Sequence, residues 1–517
     1  MSLGEEAPRA IILLVFLLVL LPFLLLRFAA ASTASARDDR LLSRLPSPPR
    51  LPVIGHMHLM GALPHVSLAA LAAEHGPDLL LLRLGAVPTV VASSPRAAEA
   101  VLRTHDHVFA SRPRSMVADV VIYGASDSCY APYGEHFRKV RKLVTVHLLN
   151  SRKVQSYRPA REEEVRQVVA KLAAAAADGA AVDVSGLMDA FANDIICRAV
   201  SGKFFREEGR NKLFRQLIDT NAALLGGFNL EDYFPRFARL ELVSKIICAK
   251  AKKVSKRWDQ LLDKLIDDHA ARAVRLEGGG GDQEETDFID VLLSLQEEYG
   301  LTRDHMKAIM LDMFEAGTET TYLTLECAMA ELMRKPHLMA KLQEEVRRSV
   351  PKGQDMVTED DLPTMTYLKA VIKETLRLHP PAPLLIPHLS IDACDVDGYT
   401  IPAGTRVIVN AWAIGRLSSV WDMADEFVPE RFMDGDDTNV DFKEKDFRYL
   451  PFGSGRRMCP GIHAAAATLE IMLANLMYRF DWEMPAGKKK EDIDMTEVFG
   501  LTVHRKEKLF LVPKIMH

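Results

Sequence analysis

Cysteine is scarce in this 517-residue chain, and its six copies (Cys129, Cys197, Cys248, Cys327, Cys394 and Cys459) stand far apart with no Cys-x-x-Cys pair. That spacing excludes a disulfide-stapled fold and the common zinc ligand sets, and it suits a reducing compartment. Asn-x-Ser/Thr sequons are missing, in keeping with a body that does not face a glycosylating lumen. No charge of one sign dominates: the net charge is −5, without the basic footprint that nucleic-acid binding requires. Internal repeats are absent too. What remains is 48% apolar and 26% charged residues, which supports a large core and excludes wholesale disorder. Length alone suggests about three domains, a weak prior because large single folds are common.

Apolar runs long enough to cross a bilayer are lacking except at the start. Ala10 to Leu26 is uninterrupted, Phe28 to Ala31 extends it, and Arg27, Arg37 and Arg40 follow. Its length reaches the lower limit for a transmembrane helix. A cleaved secretory leader is the competing reading, with Ala29-Ala30-Ala31 as a cleavage site. Glu5 and Glu6 stand where such a leader is basic, however, and the run is longer than usual for that role. The arginines downstream place the body on the cytosolic side. The expected organisation is a short luminal terminus at 1–9, an anchor at 10–31, a basic and proline-rich hinge at 32–55, and a cytosolic body at 56–517. Leu45 to Pro52, with four prolines, reads as a stiff extended connector.

Within the body, Leu79 to Leu84 and Val87 to Ala92 read as paired strands around Gly85-Ala86, and Arg406 to Ala411 as a third strand. Helical periodicity predicts helices over Arg161 to Ala177, Trp258 to Val274, Thr302 to Met333 and Met365 to Leu378. Glu277 to Glu285, with four consecutive glycines, reads as a surface linker. The fold class is mainly α with a small β portion.

The most informative stretch is Phe452-Gly-Ser-Gly455-Arg-Arg457-Met-Cys459-Pro-Gly461. A lone cysteine is usually a small buried hydrophobe. Here it lies in a glycine-rich loop before an alanine-rich helical run whose first amides favour a thiolate. Gly455 and Gly461 allow close backbone approach to a flat cofactor, and Arg457 offers a guanidinium to a carboxylate. The run resembles the haem-binding signature of the cytochrome P450 monooxygenases, Phe-x-x-Gly-x-Arg-x-Cys-x-Gly, with every specified position filled. The resemblance spans essentially the whole chain. It is strongest to plant microsomal P450s and extends to the grass enzymes that oxygenate indole-derived benzoxazinoid precursors.

That resemblance implies the P450 fold, a haem b with Cys459 as thiolate ligand, and Phe452, Gly453, Gly461, Arg457, Arg138 and Arg141 as cofactor-binding residues. It implies a single-pass anchor in the endoplasmic reticulum and an apolar small-molecule substrate. Oxygen would be activated with NADPH electrons delivered by a reductase that carries the flavins. Ala316-Gly317-Thr318-Glu319-Thr320-Thr321 matches the family's acid–alcohol pair: Glu319 would relay protons and Thr320 would hydrogen-bond the oxygen being activated. The bland alternative is a solvated glutamate with threonine hydroxyls bonded one turn back. Gly317 costs such a helix about 1 kcal/mol, which points to close backbone approach or a local groove.

Glu374-x-x-Arg377 and Pro429-Glu-Arg431-Phe432 resemble the family's structural motifs, implying a buried Glu374–Arg377–Arg431 triad. Two positions depart from the pattern. Phe137 stands where relatives carry tryptophan, and His388 stands where they carry a propionate-facing arginine; His388 either substitutes as a donor or is an ordinary surface residue. Lys139, Arg141, Lys142 and Arg456 offer a basic face for an acidic reductase, or a solvated charged helix. Family position puts substrate contacts in Met116 to Ser126, Leu217 to Phe228, around Phe314, Pro383 to Ile386 and Phe499 to Val503. Two other classes stay open: a P450-fold isomerase or dehydratase that does not use O2, and a membrane-tethered haem protein for sensing or electron transfer. The acid–alcohol pair argues against both.

Overall fold

Thr302 starts the helix that organises the molecule. Its hydroxyl accepts the His305 amide at 3.2 Å, and the His305 side chain closes a reciprocal cap. The helix then runs to Arg334 and gives way before Pro336, which opens the next helix at its first turn.

The computed structural model describes residues 35–202, 210–226, 229–277, 287–433 and 446–516. The apolar run at 10–31, most of the Glu277 to Glu285 linker and the last two residues of Leu217 to Phe228 lie outside the described residues. Among the described residues no helix is long and apolar enough to cross a membrane. The helices that frame the site are α1 (Glu135–Leu143), α2 (Arg158–Ala177), α3 (Val184–Ser201), α4 (Arg210–Leu225), α5 (Glu241–Glu277), α6 (Arg303–Arg334), α7 (Pro336–Ser349), α8 (Thr366–Leu378) and α9 (Ile462–Arg479), and a further helix, Pro64–His75, packs beside β1. The strands are β1 (Leu79–Leu84), β2 (Val87–Ala92), β3 (Val182–Asp183), β4 (His388–Leu389), β5 (Cys394–Val396), β6 (Tyr399–Ile401), β7 (Arg406–Val409), β8 (Phe480–Glu483), β9 (Glu497–Phe499), β10 (Val503–Arg505) and β11 (Phe510–Ile515). The fold is mainly α with a small β portion, as the sequence predicts.

The expected helices are present with shifted ends. α2 starts at Arg158, with a proline in its first turn. α5 begins well before Trp258, at Glu241, whose carboxylate pairs with Lys245 at 2.7 Å; its first turns carry Leu242 and Ile246 on an exposed face. β1 and β2 pair antiparallel from Leu79↔Ala92 to Leu84↔Val87 around the Gly85-Ala86 turn, β7 joins β2 in parallel, and β4 closes the far edge. The predicted strand at 406–411 ends at Val409, because the Asn410 side chain accepts the Ala413 amide at 3.0 Å and starts a helical turn.

The connector from Leu45 to Pro52 is docked on the body rather than standing free. Leu42 and Leu45 are buried with β1 and β2, and Arg83 pairs with Asp39 at 2.7 Å. His56 bridges the Pro48 carbonyl and the Arg83 amide.

Two apolar cores meet on α6. Met306 to Phe314 pack with α1, α4 and α5, and Leu325 to Met333 pack with α2, α7, α8 and α9. The stretch from Glu315 to Thr321 belongs to neither core, and there the interior opens into a cavity.

Candidate active site

The cavity has a volume of about 300 Å³. Ala316, Gly317, Thr320 and Thr321 of α6 contribute one part of its wall, and Phe452, Gly453, Cys459 and Gly461 another. The loop holding Cys459 is fixed by its own backbone: the Cys459 amide donates to the Phe452 carbonyl at 2.9 Å and the Met458 amide to Gly455 at 3.0 Å. Gly455 has φ +69°, and a Cβ there would overlap the Leu102 carbonyl. Close packing against the protein, not room for a cofactor, therefore requires this glycine. A Cβ at Gly461 would meet the Cys459 sulfur at an ordinary 3.7 Å. Cys459 Sγ accepts the Gly461 amide at 3.3 Å, just ahead of α9. Burial nevertheless pushes the thiol above its usual range, outweighing that amide and the charge of Arg141. The helix terminus assists the thiolate without forming it alone; coordination to a metal cation deprotonates such a thiol outright.

Three guanidiniums converge on the cavity. Arg457 donates to the Ala110 carbonyl at 2.6 Å and the Ala131 carbonyl at 2.5 Å, and lies 3.7 Å over the Phe137 ring. Phe137 thus keeps the stacking surface of the family tryptophan without its N–H. Arg141 donates to the Met458 carbonyl. Arg112, which sequence reasoning missed, donates to Cys129, Ile386 and Pro387 carbonyls at 3.0, 2.6 and 3.0 Å. Among the described residues none of the three has an ion-pair partner. Burial lowers all of them, Arg457 to about 9. Asp127 and Asp312 lie nearby, but burial holds both carboxyls up toward their neutral forms. Buried charges are ordinarily paired, so this rim is built for an anion from outside the chain.

The remaining expected residues separate. Arg138 is exposed, over the Tyr133 ring at 5.8 Å, and does not reach the cavity. It sits one residue from Phe137 and so about 100° around the helix from the buried face. Arg141 lies at the cavity, so the basic face reduces to Lys139, Lys142 and Arg456, the first and last paired with Glu135 and Asp106. His388 is buried rather than at the surface, and burial followed by Arg112 pushes its pKa down to about 3. Its Nδ1–H donates to the Phe109 carbonyl at 2.8 Å, which leaves Nε2 as an acceptor. The neutral ring has no donor for a carboxylate, and Arg112, bonded to the carbonyls just before it, brings the cation instead.

Thr320 lines the cavity and donates to the Ala316 carbonyl at 2.7 Å; Thr321 and Thr324 make the same one-turn bonds. Glu319 does not line the cavity. Its Oε2 accepts the Thr502 hydroxyl at 2.8 Å, and burial raises its pKa to about 7. A Cβ at Gly317 would overlap the Ile196 side chain, so this glycine serves the close crossing of α3 and α6. Of the expected substrate segments, Pro383 to Ile386 reaches the cavity through Leu385 and Ile386, and the part of α6 around Phe314 reaches it through Met313 and Ala316. Phe314 is core, its ring 4.3 Å from Phe214 and 6.0 Å from Trp258. The triad is assembled as expected: Arg377 donates to Glu374 at 2.7 and 2.8 Å, and Arg431 to Glu374 at 3.2 Å.

A family model described as Cytochrome P450 matches residues 45–512. The chain belongs to the cytochrome P450 family. The "indole-2-monooxygenase" of Zea mays is 66% identical, with 99% of this chain and 97% of that protein aligned. The "3-hydroxyindolin-2-one monooxygenase" of Zea mays is 54% identical, over 96% of this chain and 94% of that one. A zebrafish cytochrome P450 solved with abiraterone superposes with a TM-score of 0.73 at 25% identity, over 88% of this chain and all of that one. This P450 is a monooxygenase that takes O2, a redox partner and a small-molecule substrate.

The residues present fit the family's haem. Cys459 Sγ faces the cavity with one amide partner, and the three unpaired guanidiniums suit two propionates. Arg112, Arg141 and Arg457 would hold those carboxylates, with Phe452, Gly453 and Gly461 against the ring. Bound there, thiolate-ligated haem supplies the oxygen activation that side chains lack.

Proposed function

We propose that this P450 oxygenates an indole-derived, hydrophobic small molecule, using NADPH electrons delivered singly by a membrane-bound P450 reductase. The observation that carries the substrate class is the 66% identity, over nearly the full length of both chains, to the Zea mays indole-2-monooxygenase.

The chain's own residues divide the work. Ile195, Ile196, Met313, Leu385 and Ile386 line the cavity with apolar surface, which holds a flat heterocycle by shape and keeps water from the reacting centre. Thr320 donates its hydroxyl hydrogen to the Ala316 carbonyl, so its oxygen keeps acceptor capacity toward the cavity. Glu319, at about 7, both holds and releases a proton near neutral pH; it is the acid that supplies the cavity. Lys139, Lys142 and Arg456 form the side that meets an acidic reductase. Residues 10–31 anchor the chain in the endoplasmic reticulum membrane, with the 56–517 body in the cytosol.

The experiment is turnover in membranes carrying the full chain, a P450 reductase and NADPH, offered indole, indolin-2-one and 3-hydroxyindolin-2-one under ¹⁸O2. One labelled oxygen in the product of at least one of them is expected. Turnover of flavonoids, terpenes or fatty acids with none of the three indoles touched refutes the substrate class.

A further inference from the structure

Glu319 is turned toward Thr502, not toward the cavity. Thr502 lies in the turn between β9 and β10, and that turn is held from several sides. The Val503 amide donates to the Pro381 carbonyl at 2.9 Å, and Val503 pairs with Phe499 across the hairpin. Gly226, after α4, approaches Leu501 so closely that a Cβ there would overlap the Leu501 amide. A hydroxyl carried on so constrained a turn has a fixed position. Among the described residues it is the hydrogen-bond partner of the Glu319 carboxyl, and no cation pairs with that carboxyl.

We propose that Thr502 is a positioning residue for proton delivery: its hydroxyl holds the Glu319 carboxyl between α6 and the β9–β10 turn, and thereby sets the pH range over which that carboxyl has a proton to give. The proposal rests on the reading of Glu319 as the acid that supplies the cavity. The step is a proton transfer. The O–H bond of the carboxylic acid breaks, an O–H bond forms on the acceptor oxygen in the cavity, and water reprotonates the carboxylate.

The charged groups around Glu319 give the direction of the effect. Glu315 and Tyr322 flank it on α6, and Asp189 on α3 and Asp219 on α4 push its proton affinity up; Arg215 pairs with Asp189 at 3.4 Å. On β10, Arg505 is committed to Glu326 at 3.1 Å and His504 is exposed. Against burial and these acids, the Thr502 hydroxyl pulls toward the carboxylate, because a donated hydrogen bond favours the charged acceptor. Since the acid form gives the proton, product formation falls as pH rises through the Glu319 titration. Losing the hydroxyl shifts that fall to higher pH.

The test measures product formed per NADPH consumed against pH, in reductase-supplemented membranes, for the parent, Thr502→Val, Thr502→Ser, Glu319→Gln and the Thr502→Val/Glu319→Gln double variant. Thr502→Ala serves if valine is not accommodated, and the thiolate-type Soret band of the reduced carbon monoxide complex checks each fold. Infrared titration of the protonated carboxyl band that Glu319→Gln abolishes reads the same group without turnover. Thr502→Val is expected to move the descending limb and the infrared titration up by about one pH unit. Thr502→Ser keeps both in place, and Glu319→Gln removes both in either background. An unmoved limb and band in Thr502→Val, with Glu319→Gln still removing them, overturns the role of Thr502. A limb that survives Glu319→Gln overturns instead the relay reading beneath it.

Discussion

Replacing Glu374 by glutamine keeps the side chain's shape and deletes its charge, at a site where both partners are fully enclosed. Glu374 is 0% exposed and Arg377 2%. All five Arg377 N–H groups have acceptors: two on Glu374, and three on the carbonyls of Gly415, Ala424 and Glu426 at 2.6, 2.6 and 2.9 Å. Glu374 Oε1 also takes the Val428 amide at 2.7 Å and Arg431 Nε at 3.2 Å. Whichever way the glutamine amide turns, its NH2 meets a donor, either Arg377 Nε or the cluster at Oε1. Removing one partner of a buried pair costs about 3–5 kcal/mol, against a total margin of about 5–15 kcal/mol for a typical protein. Urea unfolding should show this loss in tryptophan fluorescence, since the Trp421 ring lies 5.5 Å from the Arg377 guanidinium. Asp360→Asn is the matched control. It removes the charge from a bidentate pair with both distances at 2.6 Å, but the Asp360 side chain is 79% exposed, so no measurable loss is expected. Equal effects of the two substitutions, or an unchanged midpoint in Glu374→Gln, would refute the claim that burial decides.

Cys459→Ala should abolish the thiolate-type Soret band of the reduced carbon monoxide complex; an unchanged band would place the ligand elsewhere. Gly317→Ala should drive the Ile196 side chain toward the cavity it lines, weakening substrate binding measured by difference spectra, and Ile196→Ala should restore it. If the double variant binds no better than Gly317→Ala, steric exclusion is the wrong reason for this glycine. Glu497 is mostly buried, which alone would raise it, yet His379 at 3.9 Å and a hydrogen bond from His65 at 3.0 Å bring it down to about 2. A folded-state pKa below the unfolded one contributes stability above about pH 4.5, and that stability is lost as pH falls toward 2. Glu497→Gln should therefore cost about 3 kcal/mol near neutrality and flatten the acid limb of the unfolding midpoint against pH. An unaltered limb would mean that other carboxyls carry the acid sensitivity.

What the chain disclosed before its structure was local. The ten-residue loop around Cys459 and the Glu374–Arg377 spacing each carry their meaning within a few residues, so pattern sufficed. The rim of guanidiniums was only partly legible. Arg141 shares a helical face with Phe137 and Val140, and Arg138 does not, a distinction the 3.6-residue period already contains. Arg112 was out of reach for a different reason: its partners Ile386 and Pro387 lie 274 and 275 residues away. Glu319 likewise meets Thr502 across 183 residues, and no periodicity on α6 records where a distant turn will land.

The middle of α6 shows why a glycine, two glutamates and four threonines survive inside a long, mostly buried helix. Helix propensity alone disfavours Gly317 by about 1 kcal/mol. Neither core recruits the stretch from Glu315 to Thr321, so its side chains are not chosen for apolar packing. The two flanking core segments hold the helix regardless. What remains there is polar, and the fold satisfies part of it locally: Thr320, Thr321 and Thr324 each donate to the carbonyl one turn back, and Glu319 is answered from the β9–β10 turn, whereas Thr318 Oγ1 and Glu315 Oε1 stay buried without a hydrogen-bond partner among the described residues. The glycine answers a separate demand, the close crossing of α3 at Ile196. A reactive centre in this fold therefore costs little core packing, because its polar groups occupy the gap between two cores that already stabilise the chain.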